Sequence, residues 1–223
     1  MNSGIFNGIE KDFKSRGIVF VCGKEERDEN SLYQSEKSFV EGANRSRIIE
    51  FASGRFYARK ALLSIGISDT AILCGKFGEP VFPEGTAGSI SHSDNLYSVA
   101  VCRSDNFVSV GIDLESIGRE ISDSALSLIA NEDERVLIDK DSDCNFVRLL
   151  IFSAKESVFK ALSIIADRRF YFDEVSIFPS KDAGRLDIKI HNRLEKKIPA
   201  GLSVSGGYFC DNSYIFTYCL VTL

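Results

Sequence analysis

The 223-residue sequence has only two histidines, and its six cysteines, at positions 22, 74, 102, 144, 210 and 219, form no Cys-x-x-Cys pair. That scarcity argues against a zinc site, and several of the cysteines sit inside apolar runs, where a reduced buried thiol is the simpler reading. There is no basic excess either: 27 Lys and Arg face 32 Asp and Glu, for a net charge of −5. Broad nucleic-acid binding needs a basic surface to neutralise phosphates, so that class is disfavoured, although a local basic pocket for one phosphorylated ligand is not. The longest apolar stretch, YIFTYCLVTL at 214–223, is about half a membrane span. The opening MNSGIFNGIEKDFKSRG has no sustained apolar core of the kind a signal peptide carries. Low-complexity segments and strict repeats are missing too. These absences point to a cytoplasmic protein with no membrane span and no nucleic-acid partner. What is present is a 44% apolar composition, enough for a real core in one large or two small domains.

Pattern along the chain suggests an α+β protein. GIVFVC (17–22) reads as a strand and KEERDENSLYQSEK (24–37) as a charged, exposed connection. A helical pattern runs from about Glu36 to Ile65 and stops at Gly66; on it Arg55 and Arg59, four apart, share one face. Prolines and glycines make 71–95 mostly turn and loop, SISHS (89–93) included. LYSVAVC (96–102) and FVSVGIDLE (107–115) read as strands joined by the turn RSDN, a plausible hairpin. The second half offers helices over 123–139 and 145–166, then four strand candidates: EVSIFP, LDIKI, LSVSGGYFC and YIFTYCLVTL. Each half thus supplies helix material followed by antiparallel strands, which suggests two similar subdomains, 1–105 and 106–223, with the break near Ser104–Asn106.

Two short stretches concentrate the chemistry. In GIDLES (111–116), Asp113 and Glu115 stand two apart on a strand and project to one side, while Leu114 faces the other. Two hard oxygen donors at that spacing suit Mg²⁺, which completes its shell with water and phosphate oxygens. In FSAKESVFK (152–160), Phe152, Glu156 and Lys160 form one i+4 stripe with Lys155 beside it. A carboxylate and ammonium groups next to a metal suit phosphoryl-group chemistry. Each feature also has a plainer explanation. Glu156 and Lys160 make a favourable exposed helix pair, Asp113 and Glu115 can end a strand, His92 can be structural, and two arginines can be a solvated face.

Taken as an ordered set, SISHS, GIDLES and FSAKESVFKAL resemble the 4′-phosphopantetheinyl transferase superfamily, whose signature is (V/I)G(I/V)D-x-E followed by (F/W)-(S/C/T)-x-K-E-x-x-x-K. Upstream, FASGRFYARKAL and GEPVFPEGTAGSISHS are similar to blocks of its enterobactin-synthetase component D branch, of the larger, monomeric type. The resemblance runs from about Phe51 to Leu162. Phe152 and Phe82 stand where tryptophan is common, and no lysine precedes Pro80, a position from which some relatives meet phosphate; Lys76 is the nearby substitute.

The resemblance implies a pseudo-dimer of two α/β subdomains with the active site in the cleft between them. It implies transfer of the phosphopantetheine arm of coenzyme A to a serine of an acyl or peptidyl carrier protein, with release of 3′,5′-ADP, in siderophore, nonribosomal peptide or polyketide synthesis. Asp113, Glu115 and Glu156 would hold Mg²⁺, or Mn²⁺. Glu156 would take the serine proton, Lys160 would stabilise the leaving phosphate, and Lys155 would hold the phosphate being transferred. Ser91, His92, Arg55, Arg59 and Lys76 would meet the phosphates of coenzyme A. A Mg²⁺-dependent phosphohydrolase and a non-catalytic coenzyme A or carrier-protein binding module are the alternatives.

Overall fold

The computed structural model describes residues 4–141, 143–180 and 184–223. The chain divides into two compact units, Met1–Val110 and Gly111–Leu223. Both combine helices with antiparallel strand pairs, the α+β class expected from the pattern.

In the first unit the elements are α1 (Gly4–Ser15), β1 (Ile18–Gly23), α2 (Gln34–Lys37), α3 (Arg45–Ser64), β2 (Leu73–Cys74), β3 (Pro80–Val81), β4 (Thr86–Ser93) and β5 (Leu96–Arg103). α1 has no counterpart among the expected elements. It buries Ile5, Phe6, Ile9 and Phe13, and Phe6 and Phe13 pack on Phe20 of β1. The helical pattern expected from Glu36 is interrupted: Gly42 takes φ +72°, and Asn44 is an extended N-cap whose side chain accepts from Arg47 N. Only from Arg45 does a long helix run, and it ends before Gly66, at φ +75°, as the pattern requires.

Two further expectations need correction in this unit. The segment 71–95 holds three strands, and SISHS lies within β4, paired residue for residue with β5. The β4–β5 hairpin turns at Asp94, which adopts φ 51°. The expected hairpin between LYSVAVC and FVSVGIDLE does not form. β5 is the central strand of a β1-β5-β4 sheet and has both edges occupied, whereas β6 (Ser109–Ser116) belongs to the other sheet. The apolar face of α3 (Ala58, Ala61, Leu62) packs with Val99 and Val101 of β5.

The second unit continues with α4 (Asp123–Ile129), α5 (Glu132–Asp139), α6 (Cys144–Ile165), β7 (Val175–Ser180), β8 (Arg185–Ile190), α7 (Asn192–Glu195), β9 (Ser203–Cys210) and β10 (Tyr214–Thr222). Its sheet has the order β6-β10-β9-β8-β7. The four C-terminal strands lie where alternation placed them. The single helix expected over 123–139 is two, because Asn131 caps a second start by accepting from Glu134 N. Ala154, Val158, Ala161 and Leu162 of α6 pack on Val175, Ile177, Cys219 and Val221 of the sheet. All six cysteines are free thiols, with Cys102 and Cys219 buried. Among the described residues no helix is long and apolar enough to cross a membrane.

Two features fix where α6 sits. A Cβ on Gly111 of β6 would fall 1.9 Å from Ser157 O and 2.7 Å from Ala161 N, so strand and helix backbones touch there and no side chain fits between them. On another side, Lys155 is only 1% exposed. Its ammonium donates to Glu134 Oε2 at 2.7 Å, Ile129 O at 2.8 Å and Phe172 O at 2.9 Å. Glu134 is fully buried, and its Oε1 accepts Ile177 N at 2.7 Å. One ion pair therefore ties α4, α5, β7 and the 3₁₀ turn Phe172–Glu174 to α6.

Lys155→Met should destabilise the fold by about 3–5 kcal/mol in urea unfolding, because it strands a buried carboxylate. Adding Glu134→Gln to it should recover part of that loss, since the double variant buries no unpaired charge. Gly111→Ala should cost at least about 1–3 kcal/mol through overpacking, since the atoms it meets are backbone and have little room to give.

Candidate active site

The site residues of the second unit stand on two elements whose separation Gly111 keeps small. Along β6, Asp113 and Glu115 flank a fully buried Leu114, and both carboxylates are themselves buried. Asp113 Oδ1 accepts from Lys160 Nζ at 2.8 Å, and the same ammonium donates to Ile112 O at 3.0 Å. Glu115 Oε1 accepts from Arg119 Nη1 at 2.6 Å. On α6, Phe152, Glu156 and Lys160 form the expected half-buried stripe, and the Arg119 guanidinium lies 4.7 Å from the Phe152 ring centre.

The electrostatics join these groups into one cluster. Burial first, and the Asp113 charge second, push the Glu115 carboxyl up to about 7, against the pull of Arg119 and Lys160. Burial also raises Glu156, with Asp113 adding to it and Lys160 and Arg119 opposing it. Crowded carboxylates of this kind bind a divalent cation favourably, because the added positive charge relieves both desolvation and like-charge repulsion. The donors are all oxygen, which suits Mg²⁺ or Mn²⁺ and does not suit zinc. Among the described residues no group of three His, Cys, Asp or Glu side chains is placed to hold a metal ion. The expected set Asp113, Glu115 and Glu156 is therefore not assembled as three ligands; Asp113 and Glu115 are a carboxylate pair of the kind Mg²⁺ completes with water and substrate oxygens.

Glu156 also lines an open pocket of about 610 Å³ whose walls include Leu128, Phe159, Phe170, Tyr171 and Phe172. Leu128 is 79% and Tyr171 69% exposed, so the pocket rim presents large apolar surface to solvent. Glu156 is thereby a carboxylate with the cationic Lys160 on one side and an apolar hollow on the other.

Other expected residues are placed differently. Lys155 points away from the Glu156 stripe, and all three of its protons are spent on Glu134 and two carbonyls, so it has none to offer a phosphate. Arg55 and Arg59 do not present a solvated face. Arg55 is 6% exposed and donates to Ile72 O at 2.9 Å; Arg59 is 7% exposed and holds the fully buried Glu36 at 2.9 Å and Ser31 O at 2.9 Å. Glu36 in turn accepts Ile72 N at 2.8 Å, so these arginines pin the segment 24–37 and the strand after α3. Most of that segment is exposed, as its charge suggests, and only Leu32 and Glu36 within it are buried. Ser91 is buried in β4, whereas the His92 ring is about one-third exposed, with Nε2 3.7 Å from Glu50 Oε2. Lys76 is exposed in the turn between β2 and β3, its ammonium 5.0 Å from the Phe77 ring centre.

Arg119, Glu134 and the aromatic pocket were missed in the sequence. Arg119 follows the strand in a turn, where no periodicity marks it. Glu134 is readable only as the N3 glutamate of an N-x-x-E capping box.

Comparison with known proteins bears on both units. Residues 35–102 match the family described as the 4′-phosphopantetheinyl transferase N-terminal domain, and residues 109–219 match the 4′-phosphopantetheinyl transferase superfamily. The chain is 35% identical over 163 residues to 4′-phosphopantetheinyl transferase Svp of Streptomyces mobaraensis, covering 71% of this chain and 65% of Svp. It is 32% identical over 148 residues to enterobactin synthase component D of Escherichia coli (strain K12), covering 64% of this chain and 68% of that protein. The matches thus span about two thirds of the length of these relatives. A solved holo-[acyl-carrier-protein] synthase of Thermotoga maritima aligns with 52% of this chain and 64% of its own, at a TM-score of 0.43 and 20% identity. The resemblance read from SISHS, GIDLES and FSAKESVFKAL is borne out, its enterobactin-synthetase branch included: the chain belongs to the 4′-phosphopantetheinyl transferase superfamily.

Proposed function

We propose that the chain transfers the 4′-phosphopantetheine arm of coenzyme A to a serine hydroxyl of an acyl or peptidyl carrier protein, releasing 3′,5′-ADP, and that siderophore or other nonribosomal peptide synthesis is its setting. The observation that carries this reading is the meeting of Asp113, Glu115, Glu156 and Lys160 in one unit, with an apolar pocket against Glu156. The serine hydroxyl is a weak nucleophile until its proton has an acceptor. Glu156, made more basic by burial, is that acceptor in this scheme. Lys160, held near β6 by Asp113 and Ile112 O, is placed to meet negative charge on the leaving phosphate. Asp113 and Glu115 would hold Mg²⁺, which when bound polarises the pyrophosphate oxygens. His92 and Lys76, the accessible basic groups among those expected to meet coenzyme A, would contact its phosphates. Arg55, Arg59 and Lys155 serve the fold in this reading.

The test is to incubate the protein with coenzyme A, Mg²⁺ and an apo carrier domain and to weigh the carrier. Gain of one phosphopantetheine arm on the serine is expected. Hydrolysis of coenzyme A with an unmodified carrier would favour a phosphohydrolase, and binding without turnover a non-catalytic module. Glu156→Gln should lower kcat by about 10²-fold or more, and Asp113→Asn should abolish transfer as EDTA does, with unfolding curves near that of the wild type. An effect of Glu156→Gln on KM alone would refute its role as base.

Metal affinity should depend on pH with a definite sign. Glu115 lies near 7 instead of its ordinary 4.5, so below neutrality a proton has to leave before the cation binds. Calorimetry should show Mg²⁺ affinity rising by up to about tenfold per pH unit below that value and levelling above it. Glu115→Gln should remove this dependence along with most of the binding. For the metal-free fold the sign reverses: the folded state holds the proton more tightly than the unfolded chain, so stability falls as pH rises from 4.5 through about 7.

A further inference from the structure

Arg119 is the cation in the cluster that the proposed chemistry leaves unused. Its backbone is anchored: Arg119 N donates to Ser116 O at 3.0 Å, and Asn145 Nδ2 donates to Arg119 O at 3.2 Å. The side chain is freer, with 48% of its surface exposed against 9% for its partner Glu115. The guanidinium donates to Glu115 Oε1 at 2.6 Å and rests at 4.7 Å on the Phe152 ring. Phe152 lies one helical turn before Glu156, so the ring holds the guanidinium beside the carboxylate pair.

We infer that Arg119 is a resident counter-ion of the metal site: it occupies Glu115 when no divalent cation is bound and must swing outward, off Phe152, when one arrives. This rests on the reading of Asp113 and Glu115 as metal ligands. The geometry supports it in three ways. The guanidinium already takes Glu115 Oε1, and a divalent cation on the same buried carboxylate would set two positive charges against each other there. Lys160 is the less free to yield of the two resident cations, since Ile112 O and Asp113 hold it together and its side chain is 27% exposed. Arg119 has solvent to move into, and an exposed guanidinium loses little by exchanging one carboxylate for water. The ion pair thus keeps a buried carboxylate compensated between turnovers and sets the cation affinity lower than the two acids alone would give.

The experiment measures Mn²⁺ binding to the full chain without coenzyme A, by calorimetry and by the loss of the free-ion electron paramagnetic resonance signal. Arg119→Gln, which keeps length and hydrogen-bonding capacity but not charge, should bind Mn²⁺ about three- to tenfold more tightly than the wild type. Arg119→Lys, which keeps the charge, should stay within about twofold of it. Arg119→Met, which keeps apolar contact with Phe152, should follow Arg119→Gln, and unfolding curves confirm that each variant is folded. Unchanged or weaker Mn²⁺ binding in Arg119→Gln and Arg119→Met would overturn the inference while leaving the metal site standing. Absence of Mn²⁺ binding in the wild type and in every variant would overturn both.

Discussion

The buried contact between Lys155 and Glu134 is the joint on which the second unit depends. An ammonium and a carboxylate with almost no solvent between them are costly to bury, and the cost is met only because every remaining donor and acceptor is used. Ile129 O, Phe172 O and Ile177 N belong to three different pieces of chain, so the pair works less as an attraction between two charges than as a common point that several elements must reach. Its position matters for chemistry because Phe172 and the end of α4 are also walls of the pocket that opens on Glu156. A lysine adjacent in sequence to the proposed base thus shapes the surroundings of that base without facing them.

What the sequence made legible was periodic. Strand alternation over 174–223 and the i+4 stripe of Phe152, Glu156 and Lys160 emerged as read, because side-chain direction in regular elements follows from spacing alone. The expectations that failed did so where a single residue overrode a pattern. Asn44 and Asn131 each began a new helix inside a stretch that looked continuous. The β5–β6 pairing failed because strand neighbours are chosen by the sheet, and β1 and β4 had claimed both edges of β5. For the site, the acids were readable while their cations were not. Arg55, Arg59 and Lys155 look like phosphate ligands in a one-dimensional text, and only burial shows that Glu36, Glu134 and main-chain carbonyls have taken them.

The two units use their buried cations alike. In the first, Arg59 holds Glu36 and through it the amide of Ile72; in the second, Lys155 holds Glu134 and through it the amide of Ile177. Each time a helix-borne cation grips a fully buried glutamate, which in turn takes a backbone N–H from another segment. The basic residues left with accessible surface near the acids are then Lys160 and Arg119, one held by the strand and one resting on a ring.

Gly111 sets a tolerance. Soft apolar layers between a strand and a helix allow the two to slide by fractions of an ångström as side chains repack, but main chain against main chain has no such compliance. Two residues beyond that contact stands Asp113, and three beyond Ser157 stands Lys160. The separation between the carboxylates of one element and the ammonium of the other is therefore gauged from a hard stop, in the way a machinist references a part to a bare metal face and not to a gasket. Thermal expansion of the core, or drift in the composition of its apolar residues, should leave that one dimension nearly untouched.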